Sequence, residues 1–143
     1  MNWKQEAIDH LQCYEAMLRA VENIPEEISR LEQQALALRG GNLQAPRVCN
    51  TPQPGEDKLI ANMVKRQALQ QSLANAQSWI KTADAALDVL TPEEKRILLR
   101  MYIRPERGAV QLLCQDLCLE QSSVYRRRDT ALYRFTIAMY GAA

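Results

Sequence analysis

The chain has 143 residues, 47% of them hydrophobic and 24% charged, with a formal net charge of +1. That is enough apolar material for one compact domain or two small helical ones, and too close to neutrality for bulk charge alone to hold nucleic acid tightly. Five glycines, one phenylalanine and the lack of alternating strand-like runs make the expected fold all-α. No apolar run approaches the length of a bilayer span, and Met1 opens onto a charged amphipathic segment where a secretory signal would carry an apolar one. The expected location is cytoplasmic, with no membrane partner.

The first element is a long helix. Trp3, Ala7, His10, Tyr14, Met17, Val21, Ile24, Ile28, Leu31, Ala35 and Leu38 follow an unbroken four-three alternation, and all but His10 are apolar. Asn23 and Glu26 flank Pro25 as a capping signature, so a kink or restart of the helix is expected there while the register persists. His10, on the seam, reads as a packing histidine, and Trp3 and Trp79 as packing residues or anchors. Residues 40–57, GGNLQAPRVCNTPQPGED, hold three prolines and three glycines and read as a linker. A second seam follows through Leu59, Asn62, Arg66, Leu69, Leu73, Ala76, Ile80, Ala83, Leu87 and Leu90. The two long helices are similar in length and suit an antiparallel pairing, closed either within one chain or between two copies. Residues 1–90 are therefore expected to form a helical hairpin or coiled coil that mediates dimerisation or partner binding.

The last third, residues 91–143, is more specific. Thr91 and Glu94 form a capping pair around Pro92, so a helix starts at about residue 92. Ile97, Leu98, Met101 and Tyr102 make its apolar face, and Arg104-Pro105 ends it near Ile103. Gly108 leads to a short amphipathic turn-and-a-half carrying Val110, Leu113, Cys114 and Leu117, and Leu119 then plugs the gap between two crossing helices. From Gln121 a helix runs to Gly141, with Val124, Ala131, Leu132, Phe135 and Met139 as its buried stripe. Gln121, Ser122, Tyr125, Arg126 and Asp129 face away from that stripe. Successive residues lie about 100° apart on a helix, so Arg126, Arg127 and Arg128 cannot all address one groove. Arg126 is the best placed, while Arg127 and Arg128 lie nearer the buried side, within reach of a phosphate or an acidic neighbour.

Leu113-Cys114, Leu117-Cys118-Leu119-Glu120 and Val124 resemble the helix-turn-helix of the fourth region of sigma-70-type factors. Ser123-Val124-Tyr125-Arg126, Ala131-Leu132 and Tyr140-Gly141 are similar to phage-encoded late transcriptional regulators of the ArpU and RinA type. The resemblance covers about the last fifty residues. It implies a sequence-specific DNA-binding regulator, with double-stranded DNA as its ligand and RNA polymerase as a further partner. The candidate DNA-contacting set is Gln121, Ser122, Ser123, Tyr125, Arg126, Arg127 and Arg128. Two positions depart from the pattern: Cys118 stands where a turn glycine is usual, and Glu120 where a capping serine or threonine is usual.

Charge is distributed accordingly. Residues 91–143 hold nine Lys and Arg against six Asp and Glu, while residues 1–90 hold nine against eleven. One copy with so small an excess makes few phosphate contacts, so two copies, or help from polymerase, are expected. Catalysis finds no support. One histidine and four scattered cysteines give no metal site, and there is no glycine-rich phosphate loop or nucleophile motif. No enzyme activity, cofactor or catalytic residue is expected. Two other functions fit the same pattern: a DNA-packaging module like a phage small terminase subunit, and an adaptor that has kept the helix-turn-helix fold without DNA binding.

Overall fold

The computed structural model describes residues 2–42 and 54–142, and every regular element among them is helical. In chain order these are α1 (Trp3–Gln12), α2 (Tyr14–Asn42), α3 (Pro54–Asp88), α4 (Pro92–Leu98), a π-helical turn (Leu99–Ile103), α5 (Ala109–Leu117) and α6 (Gln121–Tyr140). The expected linker over 40–57 lies mostly outside the described residues. At its far edge Pro54 takes the first position of α3, with Glu56 and Asp57 in the first turn where the helix dipole favours acidic groups.

The chain divides into two compact units, one made of Met1–Leu18 with Ser78–Ala143, the other of Arg19–Gln77. The smaller unit is a pair of helical segments from α2 and α3. Leu31, Ala35, Asn62 and Ala76 are buried in it, and the remaining seam positions are at least half-covered. The pairing therefore closes within one chain. Asn62, a polar residue on an apolar seam, is satisfied on both sides: its Nδ2 donates to the Leu31 carbonyl at 2.8 Å, and its Oδ1 accepts from Arg66 Nε at 2.8 Å. A buried amide so bonded costs little, and it ties α3 to one level of α2.

The helix does not restart at Pro25, which sits inside a continuous α2. Pro25 is exposed while the seam residues Val21, Ile24 and Ile28 beside it are half-buried, so the seam outweighs the single hydrogen bond that proline removes. The interruption falls instead at Cys13, between α1 and α2. Its N–H is shared between the Asp9 and His10 carbonyls at 3.1 and 3.2 Å, and Met17 N–H already returns to the Cys13 carbonyl. The seam passes this one-residue break without losing register.

In the larger unit α1, α4 and α5 all pack against α6. Ala7 and Leu11 of α1, Ala86 and Leu90 at the end of α3, Leu98, Ile103 and the α6 residues Ala131, Leu132 and Phe135 form one core cluster. Ile97, Leu113 and Val124 form a second, closed over by Leu117 and Leu119. Thr91 caps α4 by accepting from Glu94 N–H at 3.2 Å. Glu94 does not return this bond to the Thr91 backbone; its carboxylate accepts instead from the Thr91 hydroxyl at 3.1 Å and from Arg134 at 2.8 Å. The helix runs on to Ile103 as expected, but its last turn is widened. Arg104 N–H reaches the Leu99 carbonyl, five residues back, at 2.7 Å, because Pro105 has no N–H and disfavours helical geometry at Arg104. α5 is longer than the turn-and-a-half expected from its spacing, since Gly108, at φ 71°, starts it from the left-handed region.

His10 joins three elements of this unit. Its ring stacks on Trp79 with centroids 4.2 Å apart, meets the edge of Phe135, and its Nδ1 lies 3.2 Å from the Tyr140 hydroxyl. Burial pushes the imidazole below its ordinary pKa of 6.5, and its buried Nε2 has no partner among the described residues. Burial thus disfavours the charged ring in the folded state. A base whose folded pKa is depressed stabilises the fold fully above the unfolded value and loses that contribution as pH falls below it. Thermal melts followed by circular dichroism should show a drop in Tm between pH 7 and pH 5, and His10→Gln should flatten that drop. An unchanged slope in the variant would exclude His10 as its source.

Candidate functional site

The second half of the larger unit forms a helix-turn-helix from α5, the turn Cys118-Leu119-Glu120, and α6. The turn depends on Cys118, whose φ of 55° and ψ of 43° lie in the left-handed region that glycine occupies without strain. In that conformation Leu119 N–H returns to the Cys114 carbonyl at 3.1 Å and closes the end of α5. The Cys118 side chain is exposed, while Cys114 is half-buried against the second core cluster. Leu119 then packs inward, fixing the angle at which α6 leaves the turn. Glu120 takes the N-cap position in extended geometry, but its side chain makes no capping bond. The first N–H groups of α6 therefore lack a side-chain acceptor there.

Of the residues expected to make contacts, Gln121, Ser122 and Arg126 are exposed, and Ser123 and Tyr125 are half-buried. Gln121 Nε2 lies 3.5 Å from the Tyr125 hydroxyl, so these two side chains meet one turn apart on α6. The three arginines have separate fates. Arg127 reaches back to Glu93 at the start of α4. Arg128 lies over the Tyr125 ring at 4.9 Å and donates to Asp129 at 2.9 Å. Only Arg126 has no acidic partner among the described residues, and its side chain stays exposed.

Arg128 has further contacts. Burial raises the Tyr102 hydroxyl above its ordinary pKa, and the positive charge of nearby Arg128 works in the opposite direction. Burial also acts to raise Asp129, but hydrogen bonds from Lys4 and Arg128 outweigh it and hold that carboxyl below its ordinary value. Lys4 Nζ sits 3.2 Å from Asp129. Lys4 and Asp129 thus link α1 to the middle of α6, with Arg128 and Tyr125 continuing the chain of contacts along α6.

These tethers are absent from any local sequence signal. Lys4 and Glu93 lie far from the arginine run, and only the packing of α1 and α4 on α6 brings them to it. On α5, Asp116 is likewise engaged, by Arg100 of the π-helical turn. The resulting exposed surface at the start of α6 offers side-chain donors, uncapped backbone N–H groups and one cation unpaired among the described residues. Such a set suits a partner rich in hydrogen-bond acceptors and carrying negative charge. Glu120, at the edge of this surface, opposes it.

No family model matches the chain, no curated protein matches it, and no solved structure matches it.

The backbone at position 118 supplies a direct check on the turn. A non-glycine residue in the left-handed region costs about 1–2 kcal/mol, and glycine gives back part of that gain through its freer unfolded chain. Cys118→Gly is expected to raise the free energy of unfolding in urea by up to about 1 kcal/mol, and Cys118→Val to lower it by about 1–2 kcal/mol. A destabilised glycine variant would mean that the cysteine side chain, and not its backbone, matters to the turn.

Proposed function

We propose that this chain is a sequence-specific DNA-binding transcription regulator, phage or prophage encoded as its resemblance to ArpU- and RinA-type regulators implies. In this reading the start of α6 enters the major groove, Arg126 addresses a base edge or an adjacent phosphate, and Gln121, Ser122 and Tyr125 stand beside it. Ser123 is half-covered and contributes through its backbone N–H. Arg127 and Arg128 act indirectly. Arg127 is bonded to Glu93 of α4 and Arg128 to its neighbour Asp129, which leaves less positive charge for phosphates. Two copies, meeting through the amino-terminal helices, supply the contacts that one copy lacks, and RNA polymerase is the further partner. A cytoplasmic location follows from this role.

The observation that supports the proposal most is the position of Arg126: it is the one arginine of three without an acidic partner among the described residues, on the exposed side of the second helix of a helix-turn-helix. A second reading, an adaptor without DNA binding, is favoured by Glu120, whose carboxylate has no bonding partner among the described residues and stands where phosphate would approach.

The test is selection of duplexes from a random-sequence library at about 150 mM salt, followed by titration of the selected duplex. Arg126→Ala should weaken binding by about 1–3 kcal/mol and relax preference at one base position if the guanidinium reads a base. Arg127→Ala should change affinity less, because its charge is already engaged. Absence of any enriched sequence would favour the adaptor, as would equal affinity of the Arg126→Ala protein.

A further inference from the structure

Asp129 is the only acidic residue of α6, and it gathers cations from two elements. Its Oδ1 accepts from Lys4 Nζ of α1 at 3.2 Å and from Arg128 at 3.1 Å through Nε and 2.9 Å through Nη2. One carboxylate oxygen thus holds two positive side chains. Arg128 leaves the α6 backbone about 200° around the helix from Arg126, on nearly the opposite side. Asp129 and Tyr125 lie only about 60° and 100° from Arg126. The Arg128 guanidinium is bonded to the first and lies over the ring of the second at 4.9 Å. Its stem therefore bends round, and its charge arrives on the flank of the Arg126 face, where Asp129 takes it up. Lys4 reaches the same flank from α1.

We infer that Asp129 is a restraining residue, which withholds Lys4 and Arg128 from DNA phosphates and so limits sequence-independent binding by the face that carries Arg126. The inference rests on the DNA-binding reading proposed above, and it adds α1 to the surface concerned. Stability accounts poorly for the cluster. The side chains of Lys4, Arg128 and Asp129 are 39, 23 and 43% exposed, and ion pairs so open to solvent add little to a fold. Their effect on a polyanion is larger, because each cation set against a phosphate adds about 0.9 to the logarithmic salt slope, about fivefold in affinity near 150 mM salt. Two cations and one carboxylate leave a net charge of +1 on this flank, and an amide in place of the carboxylate leaves +2 with both cations released. The restraint holds at neutral pH: against burial, the hydrogen bonds from Lys4 and Arg128 keep the carboxyl below its ordinary value and hence ionised. Glu93 differs in engaging Arg127 alone, from α4.

The test is the affinity of the full chain for a random-sequence duplex, titrated between about 50 and 200 mM salt. Asp129→Asn should raise that affinity about fivefold at 150 mM and steepen the salt slope by about 0.9, the mark of one further phosphate contact. Adding Lys4→Gln should return both quantities to their wild-type values, and Asp129→Glu, which keeps the charge, should match the wild type. Asp9→Asn makes the same change in net charge on α1, where the carboxylate accepts from the Gln5 amide at 2.9 Å and from no cation among the described residues, and it should alter neither quantity. An unchanged slope in Asp129→Asn, or an equal gain with Asp9→Asn, would overturn the restraint and leave DNA binding by the wild type in place. Failure of both the wild type and Asp129→Asn to hold any duplex would overturn the restraint and the DNA-binding reading together. Should Asp129→Asn lose its helical circular dichroism signal, Asp129→Ala serves in its place; unfolding of both would make the carboxylate part of the fold and overturn the inference.

Discussion

Burial of Ala131, Leu132 and Phe135 on α6 is the constraint around which the larger unit is arranged. These side chains are fully covered by α1, the end of α3 and the α4 region, so a single helix serves as the centre of one core cluster and, through Val124, closes another. A helix committed to packing on this scale cannot rotate to suit a ligand. Which residues it leaves exposed is settled by the core, at about 100° per residue. The side chains at 126, 127 and 128 consequently point in three directions, and each meets what its own direction offers.

This arrangement explains why basic residues in the last third do not add up to a basic surface. Arg127 with Glu93, Arg128 with Asp129, Arg134 with Glu94 and Arg100 with Asp116 are pairs between or along packed elements. Exposed pairs of this kind add little to stability. Glu94 differs because it is nearly buried. There the carboxylate holds together the Thr91 cap and Arg134, so the start of α4 is coupled to α6. The net charge of a segment is therefore a poor guide to its surface potential when six of its nine cations are paired within the fold.

Much of the architecture was legible in the sequence. The two seams hold because apolar spacing at three and four residues reports burial directly, and every predicted seam position whose side chain is described is at least half-covered. Thr91-Pro92, Arg104-Pro105 and Gly141 mark helix ends by local chemistry, so their positions agree with the structure to within a residue. What was not legible depends on contacts distant in the chain. Pro25 is a helix breaker by local rule and is carried by a seam whose strength is tertiary. Cys13 carries no breaking signal, yet the break falls there. Arg127 finds its partner on α4, which no spacing within residues 121–140 announces, whereas Arg128 pairs with its neighbour Asp129, itself tied to Lys4 of α1. Cys118 was visible as a departure from a glycine pattern; that it adopts glycine's conformation regardless is a property of the turn that Leu119 and Cys114 close.

The larger unit is discontinuous: its first eighteen residues and its last sixty-six are separated in the chain by the hairpin segment Arg19–Gln77. Ala7 and Leu11 share their core cluster with Leu132 and Phe135, near the opposite end of the polypeptide, as well as with Ala86 and Leu90. During synthesis α1 emerges early, and its core cluster stays incomplete until α6 has left the ribosome. The hairpin has no such delay, since its contacts are between helices adjacent in sequence and it can form as soon as α3 is made. Once closed, it draws Leu18 and Ser78 together and replaces a long loop by a short one, lowering the entropy cost of bringing the two ends into one core. A segment that looks like an insertion is, in the order of folding, the step that makes the remainder local.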